Sequence, residues 1–281
     1  MSSRKQQSVL WKITPPNNTA HVSYLLGTIH IQSRFAFEGM PVYKELILTC
    51  DAYAGESNLD ELSQLELDGQ FDASYDQHYR DILSENQYQH LDRFIRKEIP
   101  QIHHMWPLFH PMLLVSQMEM VLMGSDEPLS LDMTIWAFAK AAGKELLAIE
   151  PATMQQDIFK EIDLNTAFRN VKSAISNLPR MGKKYEKLAH YYQTQNIQAL
   201  YLKAKKQLGK MKHMMLYDRN VFMANRIEEL VQDKSIFIGI GVGHLPGQKG
   251  VLRLLKKKGF SLEPWTLTQL TVYRLRVKVK G

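Results

Sequence analysis

A chain of 281 residues, 44% hydrophobic and 23% charged, has the composition of a folding globular protein and excludes a disordered one. The formal net charge of +6 is mildly basic. Much of the excess sits in RLLKKKG (253–259) and YRLRVKVK (273–280), which a solvated helix face and an exposed strand explain better than a nucleic-acid surface. The single cysteine, Cys50, excludes an intrachain disulfide and is expected to be a buried, inert thiol.

The segment MSSRKQQSVLWKIT carries charge without an apolar core, so no signal peptide is expected there. VLWKI (9–13) and SYLLGTI (23–29) are β-prone, and the second runs into Gly27-Thr28-Ile29-His30. MPVYKELILTC follows as a helix and DAYAGE (51–56) as a strand. SENQYQHLDRFIRKEI opens with Ser84 and a nearby glutamate, as a helix start does. The greasiest stretch, 105–124, contains His, Gln, Glu and two prolines and is too polar and broken to span a bilayer. SLDMTIWAFAKAAG reads as a helix stopping at Gly143. ELLAIE (145–150) reads as a strand leading to a helix start at Pro151. MMLYDRNVFMANRIEELVQ repeats apolar residues at helical spacing. SIFIGIGV (235–242) is a strand running into Gly241-Val242-Gly243-His244. GQKGVLRLLKKKG places Val251, Leu252, Leu254 and Leu255 on one helix side and lysines on the other. FSLEPW (260–265) and LTVYRLRVKV (270–279) are the last two strands.

Strands alternating with helices imply an α/β fold with a mixed, partly parallel central sheet and helical layers. We expect one domain over 1–281, with mainly helical insertions at about 60–130 and 155–230. By elimination the protein is expected to be cytoplasmic, with no membrane and no nucleic-acid partner. The oligomeric state is left open.

Ligands of open α/β sheets bind beyond the carboxyl ends of the strands. The residues placed there are His30, Glu56, Glu150 and His244. Imidazole and carboxylate groups on neighbouring strand ends can converge on one ion, because strands lie about 5 Å apart. A histidine after a strand is equally an ordinary hydrogen-bonded residue, and either glutamate could cap the following helix. Gly27, Gly241 and Gly243 would let the backbone turn sharply or approach a ligand closely. Asp132 is either a carboxylate orienting a histidine or a polar residue in a helix's first turn. Arg219, between Asp218 and Asn220, would bind a substrate carboxylate or an oxyanion, or else form an ion pair at the core edge. His103, His104 and His110 match no helix-based ligand spacing and read as packing residues.

YLLGTIH and IGIGVGHLPGQKGVLRLLKKKGF resemble the TraB/PrgY/GumN family, which is related to the TIKI proteases. LDMTIWAFAKAAGKELLAIEPATMQ and DRN (218–220) are similar to further family segments. The chain departs from the family pattern in the small, polar DAYAGES ahead of Glu56 and in Pro151 where the family favours threonine. The resemblance implies an erythromycin-esterase/ChaN-like fold and metal-dependent hydrolysis of peptide bonds. On that reading His30, His244 and one glutamate, Glu56 ahead of Glu150, hold a divalent ion (Mn, Co or Zn), Glu150 is the general base or exchanges roles with Glu56, and Arg219 steadies the oxyanion or grips a substrate terminus. Gly27, Asp132, Asn220, Gly241 and Gly243 would support them. A non-catalytic protein that sequesters a peptide or an iron or haem ligand is the alternative.

Overall fold

The computed structural model describes residues 7–16, 21–65, 71–122, 126–154 and 163–265; the side chains of residues 63–65, 179 and 210 are left out. The expected strand at 270–279 lies outside the described residues.

The strands are β1 (Leu10–Thr14), β2 (Ser23–Thr28), β3 (Ala52–Gly55), β4 (Glu145–Ala148), β5 (Ile236–Gly241) and β6 (Ser261–Trp265). The helices are α1 (Met40–Thr49), α2 (Leu59–Leu65), α3 (Ser74–Ile82), α4 (Glu85–Glu98), α5 (Pro111–Leu122), α6 (Leu131–Ala141), α7 (Leu164–Gln193), α8 (Ile197–Leu208), α9 (Arg219–Leu230) and α10 (Val251–Lys257). The fold is therefore α/β, as its alternating pattern implies.

Two compact units emerge. One comprises residues 1–59, 127–151 and 188–281, the other 60–126 and 152–187. The first contains the whole sheet, in the order β4-β3-β5-β2-β1-β6. β4, β3, β5 and β2 run parallel, whereas β1 is antiparallel to both β2 and β6. The inner parallel strands β3 and β5 are buried almost without interruption, because helices rather than water cover their faces. β1 is only partly buried and β6 is an edge strand, so Pro264, which lacks a ladder N–H, is tolerated there.

The helices of this unit bury one stripe each. α1 turns Val42, Tyr43, Leu46 and Ile47 inward and carries Pro41 in its first turn, which its fixed backbone angle suits. α6 buries Leu131, Ile135, Trp136 and Ala139, and its first turn carries Asp132. Gly143, at φ +66°, supplies the left-handed residue that stops α6 before β4.

The second unit is helical in its described residues. Ser84 caps α4, and its reciprocal partner is Gln87 rather than a glutamate: Oγ accepts from the Gln87 N–H while Oε1 of Gln87 accepts from the Ser84 N–H. Amide and carboxylate oxygens serve this box equally well, so the helix start was legible and the partner's identity was not. Tyr79, Trp106 and Phe168 form the aromatic centre of this unit. Among the described residues, no helix is long and apolar enough to cross a membrane.

Candidate functional site at the carboxyl edge of the sheet

Because β4, β3, β5 and β2 are parallel neighbours, their carboxyl ends form one edge. Along it the following segments deliver Glu150, Glu56, His244 and His30, in that spatial order. The ladder continues past β3 and β4: the Ile149 N–H donates to Gly55 O (2.9 Å) and the Glu150 N–H to Glu56 O (2.8 Å). That extension holds the two glutamates side by side.

Arg219 joins them. Its Nε–H reaches both oxygens of Glu150 (3.0 and 3.1 Å), and its Nη2 donates to Glu150 (2.6 Å) and to Glu56 (2.5 Å). Nη1 is 3.4 Å from Met215 O. Glu150 is fully buried, the Arg219 side chain 10% exposed and that of Glu56 24%. Burial alone would weaken the guanidinium's hold on its proton, but the two carboxylates reverse this and keep it charged. Burial pushes the Glu150 carboxyl above the ordinary range, against the pull of Arg219. Burial would raise Glu56 as well. The positive charge His244 carries when protonated, Arg219 and the Gly241 N–H together outweigh it and hold Glu56 at about 2.

His244 is 8% exposed. The Asn220 side-chain N–H donates to Lys249 O (2.7 Å), which turns its Oδ1 toward His244 Nδ1 at 2.6 Å. Nδ1 is therefore the protonated nitrogen of the neutral ring, and the lone pair lies on Nε2. Burial lowers the imidazole to about 4, so the ring is neutral at pH 7. His30 is placed differently. Its side chain is 52% exposed, and Nδ1 faces both oxygens of Asp132 at 3.2 and 3.0 Å.

Gly27 and Gly241 act through close approach rather than sharp turning, whereas a Cβ on Gly243 would meet only Ala204 Cβ at an ordinary 3.4 Å. Gly27, Gly241 and Gly243 do not have positive φ; among the described residues Gly143, Gly209, Gly247, Gly259 and Gln195 do. A Cβ on Gly27 would lie 2.6 Å from Leu245 Cδ1 and 3.0 Å from the Val242 backbone. Gly241 gives its N–H to Glu56 Oε2 at 2.6 Å.

Two participants were not apparent in the sequence. Tyr192, fully buried at the end of α7, donates its hydroxyl to Gly27 O at 2.8 Å, and its surroundings include the charge of Asp132. The other is a π-helical turn, His213–Asp218, which leads directly into Arg219. A tyrosine in an amphipathic helix and a π turn among ordinary helix formers carry no distinguishing signal.

For a divalent ion the donor set is poor. Among the described residues, no group of three or more His, Cys, Asp or Glu side chains converges as a metal site. Arg219 already lies between the two carboxylates, where an ion would need their oxygens. The Nδ1 contacts of His30 with Asp132 and of His244 with Asn220 do not weigh against an ion, since a ligating imidazole commonly holds such a partner on its other nitrogen.

A family model described as TraB/PrgY/gumN family matches residues 9–264. The chain belongs to that family. The match takes in β1 to β5 of the TraB/PrgY/gumN sheet, β6 as far as Pro264, and every residue of the carboxyl-edge cluster. No curated protein and no solved structure gives a match.

Proposed function

We propose that this TraB/PrgY/gumN member is a hydrolase of peptide bonds, with its site at the carboxyl edge of the sheet. The observation that carries this reading is the His30–Asp132 pair. An exposed imidazole whose Nδ1 faces a carboxylate is oriented as the base of a hydrolytic site is, with Nε2 as the nitrogen that would take the proton. In that role His30 takes a proton from water as the water's oxygen attacks the peptide carbonyl carbon. It then returns the proton to the departing amine as the C–N bond breaks, while Asp132 stabilises the imidazolium in between.

Glu150 and Arg219 take other parts than those the resemblance implies. Glu150 is fully buried with both oxygens on Arg219, which suits a structural anion better than a base facing water. Arg219 spends Nε and Nη2 on carboxylates, which suits a clamp on the edge better than an oxyanion partner. The metal-dependent form of the reading, with Mn, Co or Zn on His30, Glu56 and His244, requires Arg219 to leave those carboxylates. The two carboxylates held by Arg219 do not favour it.

The test is cleavage of a fluorogenic peptide library by wild type, His30→Ala and Asp132→Asn, each with chelator and with added Mn²⁺. His30→Ala should lose on the order of 10²–10⁴-fold in kcat, with KM little changed. Equal turnover by wild type and His30→Ala would sink the proposal. Tight peptide binding without any turnover would favour the sequestering alternative.

A further inference from the structure

A cavity lined by other residues than the carboxyl-edge cluster lies in the same unit. It has a volume of about 960 Å³ and is walled by α8, the loop 245–249 and α10, with Leu262 and Pro264 of β6 at one side. None of His30, Glu56, Glu150, Arg219 or His244 lines it. Four cations do: Lys205, Lys249, Arg253 and Lys256. Among the described residues the lining contains no aspartate or glutamate. Lys206 and Lys212 extend the positive surface into an adjoining hollow that shares Leu202 and Lys205.

The cavity is not merely a basic surface. Tyr201 and Tyr217 form part of its wall, with Lys205 over the Tyr201 ring at 5.8 Å and Lys249 over the Tyr217 ring at 4.8 Å. Leu202, 53% exposed, adds an apolar surface facing solvent. The loop is built to keep this shape. Gly247 takes φ +101°, and a Cβ there would lie 2.9 Å from the Tyr201 ring. Cations without carboxylates attract an anion, and apolar and aromatic walls accept a flat organic body. The volume falls at the upper end of the roughly 300–1,000 Å³ usual for small-molecule sites.

We propose that this cavity binds a small organic phosphate of nucleotide size, its phosphates on Lys205, Lys249, Arg253 and Lys256 and its flat body against the tyrosine and leucine wall. The proposal is independent of the hydrolytic reading, because no residue is shared. The cavity and the edge cluster are nonetheless linked. Lys249 gives its side chain to the cavity and its carbonyl to Asn220, and Asn220 orients His244.

The test is calorimetric titration of the full chain with ADP, adenosine and pyrophosphate separately. ADP should bind at least about tenfold more tightly than either fragment, and more weakly as salt rises. Arg253→Ser with Lys256→Ser, both exposed on α10, should weaken ADP by about tenfold or more. The matched control, Lys203→Ser with Lys257→Ser, removes the same charge from exposed positions outside the cavity and should leave affinity unchanged. The proposal is overturned if ADP fails to bind, if pyrophosphate or adenosine alone matches ADP, or if the control pair weakens binding as much as the cavity pair. A far-UV spectrum for each variant confirms the fold on which the comparison depends.

Discussion

Replacing Arg219 with methionine removes the cation between Glu56 and Glu150. The methionine fills much of the same space, so the perturbation is chiefly one of charge. Glu150 is fully buried and has both oxygens on Arg219, whereas Glu56 keeps the Gly241 N–H and some exposure. Removing one partner of a buried ion pair costs about 3–5 kcal/mol, because the other charge stays behind unpaired. We expect a loss in that range near pH 7.5, most of it from Glu150. The sign of its pH dependence follows from linkage. Burial already raises Glu150 above its ordinary value, and without Arg219 it rises further. A carboxyl raised in the folded state binds its proton more tightly there, so stability falls as pH climbs from the unfolded value through the folded one. The penalty on the variant therefore shrinks in acid. Wild type behaves oppositely at Glu56, which is held at about 2: that contribution is full above the unfolded value and fades as pH falls toward 2. Between pH 7.5 and 5 the Glu150 effect narrows the gap between the proteins, and the Glu56 effect adds to it only below about pH 4.5. Urea unfolding followed by tryptophan fluorescence at about pH 7.5 and 5 measures it. A gap under ~1 kcal/mol at the higher pH, or one that widens in acid, would refute the reasoning. Adding Glu150→Leu to Arg219→Met should recover much of the loss, since an apolar replacement leaves no stranded charge.

Other outcomes can be stated more briefly. Nitrogen NMR of the histidines should show His244 as the neutral Nδ1–H tautomer at pH 7, protonating only near about 4; a ring that titrates near 6.5 would contradict its burial and its Asn220 bond. Gly27→Ala should lower stability by about 1–3 kcal/mol, since the added carbon meets Leu245 and the Val242 backbone, and a thermal melt unchanged from wild type would show that this contact yields freely. Cys50 is 2% exposed and its thiol is pushed up to about 12, first by burial. It should resist a thiol reagent at pH 8 in the native protein and react promptly in denaturant; rapid native labelling would contradict that burial.

The sheet was readable because its strands are short apolar runs closed by glycine or a charged residue. β2, β3 and β5 each fall within a residue or two of the run that announced them. Their parallel pairing followed from the helices between them, which cannot be accommodated in a hairpin. The segment after each strand was legible for the same reason, so His30, Glu56, Glu150 and His244 could be named as neighbours of one edge. What the residues do to each other was not. Arg219 lies in α9, remote in sequence from both glutamates, and only the sheet order brings Glu56 and Glu150 close enough for one guanidinium to span them. Glycine carried an ambiguous message: lack of a side chain serves both left-handed turning and close approach, and only the backbone angles show that Gly27 and Gly241 serve the second. The basic segment at 253–259 looked like a solvated helix face. Its Arg253 and Lys256 do lie exposed, but they line one cavity with tyrosines contributed by another part of the chain.

The π-helical stretch His213–Asp218 gives the last feature a consequence of its own. A helix advances about 100° per residue, so one residue more or fewer in that stretch rotates everything after it by that angle. Tyr217 precedes the join and Arg219 follows it. Deleting Asp218 would leave Tyr217 on its present side while swinging the guanidinium away from the glutamates, uncoupling two surfaces that the present spacing aligns.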